Sequence, residues 1–361
     1  MAHFSAAASR RSHMRSTSTS TRNTSRSRLR QKSIEAPVPV KSPYLQNRTL
    51  VYSATGTGST DPKSCLKSPR SNSKTRTKSV HYDKDDKRAT VIDEFDLRGK
   101  QDKHPCRIVC AVYLDNDKLV VADQGNNNLK LFDDESDLDG SIGIQASHVA
   151  LCESRISSSE LYASADNLIY KIDTSSEFTI IDTIETEVVK IEGIASWDSG
   201  IAIVFKAVTS SRDDKGHFEI HLLDFAGEVH IQMTLASQYA VRLMTPIWYT
   251  ASIDNGTQMM LSDTQNNRIL CIDLMNWHIN YVIKGKEKGG LPRSLCMDAD
   301  ENILAVWYDE IHKLSKTGTN LGIPIQAIDR KSVIAYNKNR QQLAVMSWSR
   351  MNVDKFCLYQ M

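Results

Sequence analysis

The chain lacks any apolar run of the roughly 18 residues that a membrane-crossing helix needs. It also lacks an apolar stretch behind Met1, so a secretory leader is not expected, and the sequons at Asn23, Asn47 and Asn255 should stay unmodified. Cysteine is scarce and scattered. The seven residues are Cys65, Cys106, Cys110, Cys152, Cys271, Cys296 and Cys357, an odd number with no paired Cys/His spacing. That excludes a disulfide framework and a zinc framework, and it points to reduced thiols in the cytoplasm. A phosphate-cradling glycine loop and a nucleophile elbow are missing as well. So is helical periodicity.

Charge is present in both signs but not mixed. Residues 1–90 hold 19 Lys and Arg against 5 Asp and Glu, a net of +14, while residues 91–361 carry a net of −12. The tail has 28 Ser and Thr and few large apolar residues, too little apolar area to offset its ordering entropy. We therefore expect residues 1–89 to be a disordered basic tail and residues 90–361 to be the folded body. The first 34 residues contain no acid and are rich in Arg and Ser. That composition suits a solvated arm, a contact for nucleic acid, acidic lipid or microtubules, a nuclear signal or a mitochondrial transit peptide, and it leaves these open.

Two short elements of the tail are more specific. Ser64-Cys65-Leu66-Lys67 precedes Lys78-Ser79-Val80-His81-Tyr82, which has basic residues before it and acids after it. In an extended chain Val80 and Tyr82 share a side, so a partner sheet edge can take both into pockets. The arrangement resembles the paired docking motifs of protein phosphatase-1 regulators, with Cys65 in place of Ile and Tyr82 in place of Phe. The resemblance implies that Leu66, Lys67, Lys78, Val80 and Tyr82 contact that phosphatase.

The body reads as all-β: short runs of Val, Ile, Leu and aromatics between Asp, Asn, Gly and Ser clusters. One pattern, a strand ending in two apolar residues and often Asp, ends at Asp133, Asp173, Asp224, Asp273, Ser315 and Tyr359, with spacings of 40 to 51 residues. An apolar strand precedes each instance, and a further one usually lies upstream. Six such repeats predict a six-bladed β-propeller. The last repeat lacks a fourth strand, and residues 90–97 form a spare one before the first repeat, so pairing of the two chain ends is expected to close the ring. Residues 208–218 read as a protruding polar loop in the third repeat.

Two repeats carry a sharper pattern. Asp123-Gln124-Gly125-Asn126-Asn127-Asn128 and Asp263-Thr264-Gln265-Asn266-Asn267-Arg268 resemble the hairpin of the NHL repeat, Asp-x-x-Asn-x-Arg. Asp123, Asp263, Asn126, Asn266 and Arg268 match it, and Asn128 replaces the Arg of the first repeat. In a tight turn such Asp and Asn side chains bond backbone groups that the sheet leaves over, which is a structural role. The resemblance implies an NHL-like propeller, of the kind that ends tripartite-motif proteins, here without RING or B-box. It implies a non-catalytic scaffold that recognises a protein partner. RNA binding of NHL type is one alternative, and the acidic body argues against a generally phosphate-seeking surface. A calcium-dependent lactonase-type hydrolase, which shares the six-bladed architecture, is another.

Candidate ligand groups are few. His217 and His221 stand four apart without completing a His-Glu-x-x-His motif, and no metal or cofactor is expected. The ends of the second strands should lie on one rim. Phe205, Lys206, Trp307, Tyr308 and Trp348 fall there, and aromatics with a cation are what recognition hot spots use. Phe205 and Trp307 also suit packing between blades.

Overall fold

The computed structural model describes residues 47–50, 89–145, 149–175, 177–207, 217–235, 250–253, 256–264, 266–285, 291–329, 331–347 and 354–361. The docking elements around Leu66, Lys67, Lys78, Val80 and Tyr82, the loop 208–216 and Trp348 lie outside them.

Two strands precede the repeats: β1 (Asn47–Leu50) and β2 (Thr90–Asp96). Blade 1 is β3 (Ile108–Tyr113), β4 (Leu119–Asp123), β5 (Asn128–Phe132) and β6 (Leu138–Gly143). Blade 2 is β7 (Val149–Glu153), β8 (Glu160–Ala165), β9 (Leu168–Asp173) and β10 (Thr179–Glu185). Blade 3 is β11 (Ile191–Trp197), β12 (Gly200–Ala207), β13 (His217–Asp224) and β14 (Val229–Leu235). Blade 4 is β15 (Thr250–Ile253), β16 (Gln258–Asp263), β17 (Arg268–Asp273) and β18 (His278–Lys284). Blade 5 is β19 (Pro292–Met297), β20 (Ile303–Trp307), β21 (Glu310–Leu314) and β22 (Asn320–Gln326). Blade 6 is β23 (Val333–Asn337), β24 (Gln342–Met346) and β25 (Lys355–Gln360), and β2 supplies its fourth strand.

Each blade is an antiparallel meander. The first strands neighbour one another in the order β3, β7, β11, β15, β19, β23 and back to β3, so the ring is closed. The protein is therefore an all-β, six-bladed β-propeller. Closure occurs as the sequence predicts. β2 pairs antiparallel with β25, setting Phe95 opposite Phe356. Their rings stack at 5.2 Å, and Phe132 of blade 1 meets Phe356 edge-on at 5.7 Å. β1 is the one described piece of the tail before Ala89. It pairs in parallel with β14 and gives blade 3 a fifth strand, a pairing that occupies an otherwise open sheet edge.

The core is divided among six apolar layers, one at each blade-to-blade contact. Leu97, Phe132, Ala344 and Phe356 belong to the layer between blades 6 and 1, and Leu131, Leu151 and Leu161 to the layer between blades 1 and 2. Every blade is covered on both faces. Its second strand is therefore buried over most of its length, as in Leu119–Asp123, where every residue is buried. This is why the strands read as continuous apolar runs rather than alternations.

Candidate functional site

The turns between second and third strands share a face with the connections from one blade to the next. Gln124 N–H donates to Arg107 O, Ile191 N–H to Asp166 O, Gly285 N–H to Asn267 O and Ile328 N–H to Asp309 O. On this rim Lys206 is exposed at the end of β12, and Tyr308 opens the two-residue turn after β20. Tyr308 is 37% exposed and has φ +66°, a left-handed conformation that costs a bulky side chain roughly 1 kcal/mol or more. Phe205 and Trp307 are buried instead. Phe205 belongs to the layer between blades 2 and 3 and meets His221 edge-on at 4.5 Å. Trp307 belongs to the layer between blades 4 and 5, and its indole N–H donates to Asn267 Oδ1 at 2.8 Å. That reach depends on Gly285, where a Cβ would stand 2.6 Å from the indole ring.

The Asp–Asn turns are built inward. In blade 4, Asp263 is 1% exposed; Asn266 Nδ2 donates to it at 2.8 Å and Arg268 Nε at 2.6 Å. In blade 1, Asp123 accepts from the N–H groups of Arg107 and Gly125 at 2.8 and 2.9 Å and from Asn126 Nδ2 at 2.8 Å. Asn126 Oδ1 in turn takes the N–H groups of Lys103 and His104. Asn128 does not supply the missing cation. Lys130 does, two residues further on, with Nζ 2.8 Å from Asp123 Oδ2. The same ammonium is 2.5 Å from Asp102 Oδ2 and 2.8 Å from Leu97 O, and Lys130 has no exposed surface. Burial alone would lower the Lys130 pKa, but the two carboxylates outweigh it and raise it. Burial pushes Asp123 up, and the Arg107 N–H, Lys130 and Asn126 outweigh that and hold it low. Asp102, Cys106 and Asp123 are the one grouping with metal-ligand spacing among the described residues, and the Lys130 ammonium already sits against all three.

A cavity of about 490 Å³ occupies the central channel and opens at the opposite face, among the loops that follow the first strands. Ala111, Ala150, Ala195 and Ala335 keep it wide, and Cys110, Cys152 and Cys296 line it. Burial raises all three thiols, Cys110 to about 11 and the others further, so they are protonated at neutral pH. At the mouth, Glu153 lies 3.9 Å from Lys338, with Asp115 and Arg155 also lining it. Burial lifts Glu153 above the ordinary carboxylate range, and Lys338 pulls the other way. Calcium takes six to eight oxygens. Two carboxylates beside two cations, among the described lining residues, do not fit that ion.

Sequence reasoning missed Lys130, Asp102, Glu153 and Lys338. In the sequence His217 and His221 stand four apart with no motif between them. Both lie within β13 and share Glu219, whose two oxygens are 2.7 and 3.0 Å from their Nε2 atoms. Residues two apart in a strand share a face, and that spacing was the available signal.

No protein-family model matches the chain, and no sequence among the curated proteins matches it. Among solved structures it is similar to the β-propeller domain of Cps50 (Swd1) from Myceliophteria thermophila. The identity is 11% and the TM-score 0.48, over 76% of this chain and 99% of that one. No described helix is long and apolar enough to cross a membrane.

Proposed function

We propose that the chain is a non-catalytic scaffold whose propeller rim holds a protein partner, with Lys206, Tyr308 and Trp348 as contact residues. The observation that carries this reading is Tyr308. A two-residue hairpin turn with positive φ is ordinarily filled by Asn, Asp or Gly. Here it holds a large aromatic that remains over a third exposed. Backbone strain kept in order to present an aromatic at a surface is a mark of recognition. Lys206 adds a cation on the same rim. The Asp–Asn–cation turns of blades 1 and 4 support an NHL-like reading of the repeats.

The tail adds a second contact in this reading: docking of protein phosphatase-1 through Leu66, Lys67, Lys78, Val80 and Tyr82. Affinity capture with the full chain tests the rim, comparing wild type with Lys206→Ala, Tyr308→Ala and Trp348→Ala. Partner loss at unchanged melting temperature is expected. Capture that survives the substitutions overturns the reading, and capture abolished by nuclease transfers it to RNA. A peptide spanning residues 62–87 tests the tail. It should bind the phosphatase, and Val80→Ala with Tyr82→Ala should release it.

A further inference from the structure

The buried Lys130 cluster goes beyond partner recognition. Cys106 lies in the irregular segment that joins the closing strand β2 to β3, and Lys130 lies in the middle of β5. Cys106 Sγ is 3.2 Å from Lys130 Nζ. Acceptors also lie near the sulfur: Leu97 O at 3.7 Å, Asp102 Oδ2 at 3.9 Å and a carboxylate oxygen of Asp123 within 4.8 Å. An oxygen added to this sulfur would stand within reach of the Lys130 nitrogen, which lies nearer to the sulfur than either acceptor. Access is short, because Cys106 is 2% exposed while its chain neighbours Pro105 and Arg107 are exposed.

We propose that Cys106 and Lys130 are a peroxide-dependent modification site, at which oxidation joins them through a covalent Sγ–O–Nζ bridge. A first hydrogen peroxide transfers one oxygen to the thiol. The O–O bond breaks, an S–O bond forms, and water leaves with a sulfenic acid in place. Lys130 must then release a proton, for which Asp102 and Asp123 are within hydrogen-bond distance; the same carboxylates hold the ammonium charged at rest, so this transfer is the uphill step. A second peroxide then takes two electrons as the sulfenic oxygen bonds to the amine nitrogen. The O–H and one N–H hydrogen are lost, and this peroxide leaves as two waters. Thiol, amine and two peroxides thus become the bridge and three waters, and the proton that left the ammonium stays on one carboxylate. Burial and Asp123 raise the Cys106 thiol pKa and the Lys130 ammonium lowers it, so the pair rests as thiol and ammonium and oxidation, which needs the thiolate, is slow.

The consequence is mechanical. The ammonium already ties Leu97 and Asp102, next to the closing strand, to blade 1. The bridge would pin the segment that carries Cys106 to the middle of β5 until it is reduced, while the contact with Leu97 and the β2–β25 pairing stay non-covalent.

The test uses the purified full chain treated with hydrogen peroxide, digested without reductant and analysed by accurate-mass spectrometry. The expected product is a linked peptide pair containing Cys106 and Lys130, heavier than the sum of its parts by one oxygen less two hydrogens. It should disappear with dithiothreitol and be absent from Cys106→Ser and Lys130→Arg. Cys106→Ser preserves side-chain volume and serves as control if the arginine variant does not fold. Limited proteolysis between residues 98 and 106 should slow in the oxidised wild type and not in Cys106→Ser. The proposal is overturned if Cys106 remains free while Cys357 oxidises, if it is recovered only as sulfinic or sulfonic acid, or if the two peptides join without the added oxygen.

Discussion

A chain that begins at Lys100 instead of Thr90 loses the strand that closes the ring, and the structure sets the size of the effect. Leu97 is fully buried between blades 6 and 1, and its loss costs about 2–3 kcal/mol. Phe95 is half-buried and stacks on Phe356 at 5.2 Å, a further ~1–2 kcal/mol. Leu97 O is also an acceptor for the buried Lys130 ammonium at 2.8 Å. Removing it leaves a charged donor one partner short, at about 1–3 kcal/mol. Together these reach on the order of 5 kcal/mol, a large part of the ~5–15 kcal/mol by which domains are stable. At roughly 2–4 °C per kcal/mol for a body of this size, the melting temperature should fall by about 10–20 °C. The exposed edge of β25 should also promote association. Thermal unfolding followed by circular dichroism compares the two chains directly. Melting within about 3 °C of each other would show that β2 is an ornament on a ring closed without it.

Lys130→Met removes the cation from between two buried carboxylates and should cost about 3–5 kcal/mol, read as a lower urea midpoint. Arg268→Ala should cost about 1–3 kcal/mol in the same assay, because Asp263 loses a partly buried charged partner. Tyr308→Asn should hold or raise the melting temperature by relieving the left-handed strain, while partner capture falls; a drop in melting temperature with capture intact would contradict both halves. Burial holds the His221 imidazole below its ordinary 6.5, with Glu219 and Glu187 pulling it back. The unfolded chain therefore binds a proton that the folded chain refuses, and the contribution of His221 to stability should fall as pH drops below about 6.5 and stay level above it. His221→Gln should flatten that slope in urea midpoints measured from about pH 5 to 7.5.

The repeat period, the count of six blades and the closing role of residues 90–97 were legible in the linear order of residues. Each depends on local matters: where apolar runs start and stop, and which strand is left over at each end. Asp123 and Asp263 were legible as turn residues because Asx bonding acts over a few positions. What the chain order hides is direction and distance. Lys130 sits between Leu129 and Leu131 in a strand covered on both faces, where alternation carries no sign of which way a side chain points. Its partners Leu97 and Asp102 lie 33 and 28 residues earlier, beyond any local rule. Phe205 and Lys206 are adjacent in sequence, yet one enters a blade interface and the other faces solvent. The channel with Glu153 and Lys338 at its mouth exists only because blades 2 and 6 are brought to a common axis. Ring closure creates that proximity, and no segment of the chain encodes it alone.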